Sequence, residues 1–379
     1  MSIMENMKQF NFKLEANDGK ARAGEIQTIH GNIKTPVFMP VGTAASVKAI
    51  FPKDLLELNI EIILANTYHL MLRPGEELIE KFSGLQKFMN WEKPILTDSG
   101  GFQVWSLSKL RKMKEKGIEF SSHIDGKKYK LTPENSILIQ KKLNSTISMV
   151  LDECTEYPAT YTRSKESMDL SMRWAERCKK AFTQRQGYGL FGIIQGGMFN
   201  DLRKKSANIL NEIEFDGYAL GGLSVGENHK EMINIVKDTT QHMDIKKPRY
   251  IMGVGRPVDI FNSVENGIDM FDCVLPTRFG RNGRAFTDQG EINLRNAKYA
   301  NDKSLLDEKI NCYASINFSK SYLHHLTKSN EILSSMILSL HNIAYYKKMM
   351  DEIRVSIINK NFKDLKKKYL KNHESFKKN

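Results

Sequence analysis

Cysteine is scarce in this chain. Cys154, Cys178, Cys273 and Cys312 are the only four in 379 residues, and no two of them form a CxxC pair. Such scatter argues against a disulfide framework and gives no support to a four-cysteine zinc site. Long apolar runs are missing too. Nothing approaches the roughly 18 consecutive apolar residues that cross a bilayer, and mean hydropathy is −0.45. The opening MSIMENMKQF has no apolar signal core, so a cytoplasmic location is expected. The GxG segment Gly253-Val254-Gly255 has no Walker lysine or dinucleotide fingerprint beside it, which leaves it a weak phosphate signal. No internal repeat or low-complexity tract stands out.

Apolar residues make up 40% and charged residues 27%, the balance of a globular enzyme rather than a disordered chain. Lys and Arg number 57 against 44 Asp and Glu, giving +13. The isoelectric point is about 9.3. A basic excess favours a polyanionic partner, because protein cations release counterions condensed on nucleic acid. Residues 360–379 hold eight Lys against Asp364 and Glu374, so +6 of the +13 lies there. A solvated, frayed end accounts for that stretch equally well.

Apolar, β-rich runs predict strands at 37–41, 60–65, 94–97, 148–151, 189–194, 217–221, 249–252 and 270–274. Several are continuous (EIILA, SMVL, LFGII), as expected where both faces of a parallel sheet are buried. Helical segments are predicted over 52–58, 133–143, 164–185 and 258–265. Eight strand-then-helix units fit an α/β (β/α)8 barrel better than an open sheet, and one such barrel absorbs about 250 residues.

Three pieces fall outside the repeat. Asn17-Asp18-Gly19 between alternating runs signals an N-terminal hairpin, and Asp125-Gly126 within 120–131 signals a second after the third strand. Beyond Arg284 comes a Lys/Asp-rich loop, then His324-His325 and a helix-like run over 331–350. The expected division is a barrel with its hairpin over 1–284, an inserted subdomain with the last barrel helix over 285–350, and a basic helix or tail over 351–379.

Polar and glycine residues gather just after the predicted strands. Asp98-Ser99-Gly100-Gly101 follows ILT, Asp152-Glu153-Cys154 follows SMVL, and Gln195-Gly196-Gly197 follows FGII. Gly221-Gly222-Leu223-Ser224-Val225-Gly226-Glu227 follows YAL, the 253–255 segment follows YIM, and Asp272 lies within MFDCVLP. The carboxyl ends of barrel strands open on one face, so these six segments would meet at one mouth. Taken singly, each Asp reads as a helix cap and each Gly pair as a tight turn. Three carboxylates at three strand ends would repel one another without a purpose, however. Chemistry that needs a nucleophilic carboxylate and a separate acid/base uses such a set. Asp and Gln side chains can read a purine edge while a backbone N–H donates to its carbonyl. Phe102 and Met252 offer faces for stacking. Arg278, Arg281 and Arg284 lie among glycines in TRFGRNGR, which suits phosphate contact on a flexible loop; a solvated basic loop is the plainer reading.

Seven strings carry a family likeness: LANTYHLMLRPG (64–75), LTDSGGFQVWSLSKL (96–110), LDECTEYPA (151–159), FGIIQGGM (191–198), GGLSVGE (221–227), YIMGVGRP (250–257) and DMFDCVLPTRFGRNG (269–283). On them the chain resembles the tRNA-guanine transglycosylases, the bacterial queuine tRNA-ribosyltransferase family, over about residues 10–350. The resemblance implies a (β/α)8 barrel with an inserted zinc-binding subdomain near its C-terminal end. It implies Asp272 as the nucleophile that attacks the ribose C1′ of the wobble guanosine, expels guanine and holds tRNA as a covalent ester, with Asn66 orienting it by hydrogen bond. Asp98 would be the general acid/base that deprotonates the incoming base. Two displacements at one carbon retain configuration.

The same resemblance implies that Asp152, Gln195 and the Gly222 backbone read the base edge, beside Ser99, Gly100 and Gly101, while Phe102 and Met252 sandwich the ring. The target base must leave the anticodon stack to arrive there. Gly253, Val254, Gly255, Arg256, Pro257, Val258 and Asp259, with Thr277, Arg278, Phe279, Gly280 and Arg281, would hold the anticodon loop. Cys154 and Val225 match the pair that lines the pocket of bacterial members, which implies 7-aminomethyl-7-deazaguanine as the incoming base. The implied partners are a tRNA with a GUN anticodon and a second copy in a homodimer, with no membrane.

The family's zinc site reads CxCxxC, followed by a His in a later helix. Here Ile310 and Ser315 stand at two of the four positions, and Cys312 and His341 are the remnants. Ile ligates nothing, and structural zinc takes four N/S ligands. The expectation is no cofactor and a subdomain held by packing, looser than a zinc-bound one, unless His324 or His325 is recruited. A catalytically silent tRNA-binding subunit is the alternative from a different class; against it, Asp98, Asp152, Gln195 and Asp272 are all present. A carboxylate glycosidase acting on small nucleosides or sugars is the third, and the basic surface and Arg segment argue against that.

Overall fold

The computed structural model describes residues 9–107 and 111–374. Residues 1–8, the end of the 96–110 string (108–110) and the end of the basic stretch (375–379) lie outside the described residues.

Eight parallel strands close into a barrel: β1 (Val37–Gly42), β2 (Ile63–Ala65), β3 (Ile95–Thr97), β4 (Ile147–Met149), β5 (Gly189–Ile194), β6 (Gly217–Leu220), β7 (Arg249–Ile251) and β8 (Met270–Cys273). They pair in chain order, and β8 seals the ring against β1 with Asp272 opposite Met39 and Cys273 opposite Pro40. The expected (β/α)8 architecture is present, each predicted strand falling on a barrel strand. The cause is burial from both sides: β5 is buried along its whole length, its inner face against other strands and its outer face against helices.

Helices start where the sequence punctuates. Pro52, Pro133 and Pro257 open Pro52–Glu57, Pro133–Lys142 and Pro257–Glu265, a position where the missing N–H is harmless and φ is already set. The helix predicted over 164–185 spans Tyr161–Ala181 instead. Thr160 accepts the Arg163 N–H at 3.2 Å and starts it a turn earlier. Asn200–Ile213 and His229–Thr239 are crossover helices to which periodicity alone gave no bounds.

The N-terminal hairpin is part of a three-stranded antiparallel sheet (Asn11–Asp18, Ala21–Thr28, Gly31–Thr35), turning at Gly19 with φ +61°. The insertion after β3 also has three strands, Arg111–Lys114, Gly117–Ser121 and Lys128–Leu131, where one hairpin was expected.

The segment after β8 differs more. Leu275–Arg281 is a helix, not a flexible Arg/Gly loop. Gly280 is there for contact rather than freedom: a Cβ would lie 2.5 Å from the Ser339 backbone nitrogen and 2.7 Å from the Leu338 carbonyl carbon. Its absence lets the long helix Ile332–Ile358 press close, and Phe279 stacks on Phe286 at 5.4 Å in the same layer. That long helix runs past 350 without a breaker until Lys360, where φ is +60°. The basic end continues as a helix, Phe362–Glu374, docked by Phe362 and Tyr369 on Phe261 (ring centroids 6.0 and 4.8 Å) and by a Lys366–Glu265 ion pair at 2.6 Å. Among the described residues, no helix is long and apolar enough to cross a membrane.

Candidate active site

Asp98 is the first residue beyond β3 and is 6% exposed. The Asn66 amide donates to its Oδ2 at 2.5 Å, and the Thr67 N–H donates to its Oδ1 at 2.8 Å. Both donors come from the start of the helix Thr67–Leu72 just past β2. Burial raises the Asp98 carboxyl to about 6; the two donors oppose the rise, and the negative charge of Asp272 adds to it. The two carboxylates therefore share one mouth.

Asp272 projects from β8 and is half-buried. The Tyr250 hydroxyl donates to its Oδ1 at 2.5 Å and the Gly253 N–H to the same atom at 2.8 Å. Enclosure raises this carboxyl above its ordinary value, and the two donors pull against it. Tyr250 is fully buried in β7; desolvation first, then the Asp272 charge, hold its phenol well above the usual value, so it stays a neutral donor. Asn66 was expected to orient Asp272. Its amide serves Asp98 instead, and Tyr250 does the holding. The signal for Tyr250 was present in the sequence: a tyrosine inside a buried strand needs a partner for its hydroxyl.

Asp152, beyond β4, accepts the Gln195 amide at 2.6 Å. Burial raises its carboxyl to about 6, with Gln195 and Ser99 opposing and the Glu153 charge adding. A Cβ on Gly221 would lie 2.6 Å from Gln195 Nε2, and one on Gly222, at φ +63°, would lie 2.6 Å from Gln195 Oε1. The Gly pair lets the backbone after β6 lie directly on the Asp152–Gln195 pair. Gly101 does the same beneath, where a Cβ would stand 2.7 Å from the Asp152 carbonyl. Two positioning residues escaped the sequence reading. The buried Arg203 guanidinium donates to the carbonyls of Ile194 (3.2 Å) and Gly197 (2.9 Å), bracketing Gln195, whose N–H goes to Ser206 at 3.1 Å. Neither follows a predicted strand, so nothing in the sequence marked them.

Cys154 is buried, and desolvation pushes its thiol up to about 12, so it is a neutral, inert group. Val225 is half-buried and its N–H is held by Glu227 at 3.0 Å. A cavity of about 150 Å³ opens beside Gly222 and Val225, walled by Tyr157, Ser164 and Met198. Phe102 is 44% exposed on Gly101–Leu107, tilted against Trp105 at 5.6 Å, and Met252 is half-buried beyond β7. Both present open faces.

The residues expected to hold an anticodon loop divide into two groups. Arg256, Arg278 and Arg281 are exposed, as is Gly253. Val254, Gly255, Pro257, Thr277, Phe279 and Gly280 are buried, and Tyr346 donates to the Gly255 carbonyl at 2.5 Å. Val258 is half-buried, and Asp259 pairs with His229.

The zinc position of the family does not fit a metal here. Ser315 and His341 lie together, the hydroxyl 2.9 Å from Nδ1, while Nε2 is 2.7 Å from the Phe286 carbonyl. A nitrogen facing a carbonyl must carry the proton, so Nδ1 accepts from Ser315 and no lone pair is left. Burial lowers His341 to about 4, which keeps it neutral. Ile310 is buried and Cys312 is the lone thiol. His324 faces the Leu294 carbonyl at 2.7 Å instead. Among the described residues, no group of three or more His, Cys, Asp or Glu could hold a metal ion.

Comparison with known proteins points to one family. A family model described as queuine tRNA-ribosyltransferase matches residues 17–375. The chain is 54% identical over 351 residues to a queuine tRNA-ribosyltransferase of Rickettsia africae, covering 93% of this chain and 97% of the relative. It is 54% identical over 348 residues to that of Rickettsia bellii (92% and 96% covered) and 53% identical over 351 to that of Rickettsia typhi (93% and 97%).

Proposed function

The chain belongs to the queuine tRNA-ribosyltransferase family and is a tRNA-guanine transglycosylase, a pentosyltransferase acting on tRNA; from that premise we propose that it exchanges the wobble guanine of GUN-anticodon tRNAs for 7-aminomethyl-7-deazaguanine, a step of queuosine biosynthesis, through a covalent Asp272–ribosyl intermediate. The observation that carries the proposal is the unequal environment of two carboxylates at one mouth. Both hydrogen bonds to Asp272 fall on Oδ1, so Oδ2 is the oxygen to attack C1′. As the C1′–O bond forms, the C1′–N9 bond breaks, and guanine leaves with a proton from Asp98. Asp98 then takes the N9 proton of the incoming base, whose nitrogen attacks C1′ from the opposite side and releases the Asp272 carboxylate. A group titrating near 6 can both give and take that proton at neutral pH.

Asp152 and Gln195 read the base edge between Phe102 and Met252, and the space beside Val225 accepts the 7-substituent. The exposed Arg256, Arg278 and Arg281 take phosphates of the anticodon loop. The GUN preference and the homodimer are carried from the resemblance. No step passes through a metal.

The test is incubation with labelled guanine and a GUN-anticodon tRNA. Label is expected in the tRNA, and Asp272→Asn is expected to bind tRNA while forming no denaturant-resistant adduct. The rate should fall by a factor on the order of 10³ or more. Tight tRNA binding without incorporation by the unmutated protein would overturn the reading in favour of a silent subunit.

A further inference from the structure

The three-stranded sheet inserted after β3 has two unlike faces. Pairing sets Met113, Ile118 and Leu131 side by side, and Phe120 beside Tyr129. Ile118, Phe120 and Leu131 are buried. The same registers place Lys112 opposite Glu119 and Glu119 opposite Lys130, with Lys114 and Lys128 two residues along on their strands. Residues two apart on a strand share a face. One face thus carries four exposed lysines, Lys112, Lys114, Lys128 and Lys130, around the single carboxylate Glu119. Lys114 pairs with it at 2.9 Å; among the described residues, the other three make no ion pair.

The apolar face sits on the backbone that presents Asp98. The Phe120 ring lies 5.6 Å from that of Tyr68, two residues after Asn66. The Tyr68 hydroxyl is 2.8 Å from His123 Nδ1, at the tip of the insertion. Leu131 lies 3.4 Å from where a Gly100 Cβ would be. The sheet is therefore a fixed part of the rim, and its lysine face points away from the barrel.

We propose that this lysine face binds the phosphate backbone of the tRNA stem flanking the anticodon loop, an inference that rests on the exchange reading of the mouth. RNA is the occupant because the face is nearly all cationic, offers no apolar anchor for a protein partner, and adjoins the mouth that the anticodon loop enters. Lysines act there as point charges, contacting phosphate without reading sequence. Once the loop is in the mouth, the stem is the next RNA outside it.

The test is the triple variant Lys112→Gln/Lys128→Gln/Lys130→Gln, with tRNA binding followed against salt concentration. Each phosphate contact contributes roughly 0.7–0.9 to the slope of log affinity against log salt. The variant should lose about two units of slope and bind full-length tRNA about tenfold more weakly at low salt, with the KM for guanine and the thermal midpoint unchanged. The loss should shrink on an anticodon hairpin trimmed to its last base pairs. An unchanged slope would overturn the inference, as would a slope loss accompanied by a raised guanine KM. Binding is read without turnover, so absence of exchange by the unmutated protein sinks the functional reading alone. An unchanged slope in a protein that does exchange guanine sinks this inference alone.

Discussion

The hydroxyl of Tyr250 stands 2.5 Å from Oδ1 of Asp272, so the candidate nucleophile is aimed by a side chain from the neighbouring strand. A hydrogen bond to a charged group is worth about 1.5–3 kcal/mol. Tyr250→Phe keeps the ring and removes the donor. Adduct formation should slow roughly 10- to 100-fold. The bond favours the ionised form, so its loss raises the Asp272 pKa, and the acid limb of the pH–rate profile should move to higher pH. A profile that stays in place would show that Tyr250 only packs.

Asp98, Asp152 and Asp269 each titrate at about 6 in the folded chain, against an ordinary 3.8, with burial as the leading cause. Between about 4 and 6 the folded state holds more protons than the unfolded one, so these three make stability fall as pH rises through that window. Asp98→Asn removes one such charge. Its thermal midpoint should exceed that of the unmutated protein at pH 8 and lose the advantage at pH 4, while exchange falls about 10²- to 10⁴-fold. Melting curves at the two pH values decide; an equal difference at both means that burial of charge is not the cause.

Gly280→Ala would drive a methyl group into the backbone of Ser339 and Leu338, which cannot rotate aside. Overpacking of this kind costs about 1–3 kcal/mol. The midpoint should drop by roughly 2–10 °C. Arg278 and Arg281 ride on the displaced helix, so the KM for tRNA should rise while that for guanine holds. A fully stable variant would mean that the two helices can part without strain.

Elemental analysis of the purified chain should find well under one zinc per molecule, and a chelator should not move its melting point. The double variant Ile310→Cys/Ser315→Cys rebuilds three thiols near His341 and frees Nδ1 from the serine hydroxyl. It should take up one zinc and melt higher. Stoichiometric zinc in the unmutated chain would show that other ligands have been recruited.

The barrel strands were legible because burial on both faces writes a short continuous apolar run, a pattern that needs no knowledge of neighbours. Asp98, Asp152, Gln195 and Asp272 were legible because they sit at the ends of those runs. What was not legible depends on who meets whom. Asn66 reads as a ready amide, but which carboxylate it serves is set by how β2 lies beside β3. Gly280 and Gly283 read as glycines of a flexible loop, and the approach of Ile332–Ile358 shows that Gly280 marks a contact inside a helix. Arg203 and Ser206 lie on a crossover helix, where no strand end points to them. The basic end reads as solvent-loving, yet Tyr369 is only 7% exposed against Phe261.

The sealing of β8 against β1 puts Asp272 level with Met39, so the candidate nucleophile hangs on the junction between the earliest and latest staves of the ring. Asp98, Asp152 and Gln195 stand beyond strands that precede β8 in the chain. A chain cut short before β8 would carry Asp98 and the Asp152–Gln195 pair without the proposed attacking carboxylate.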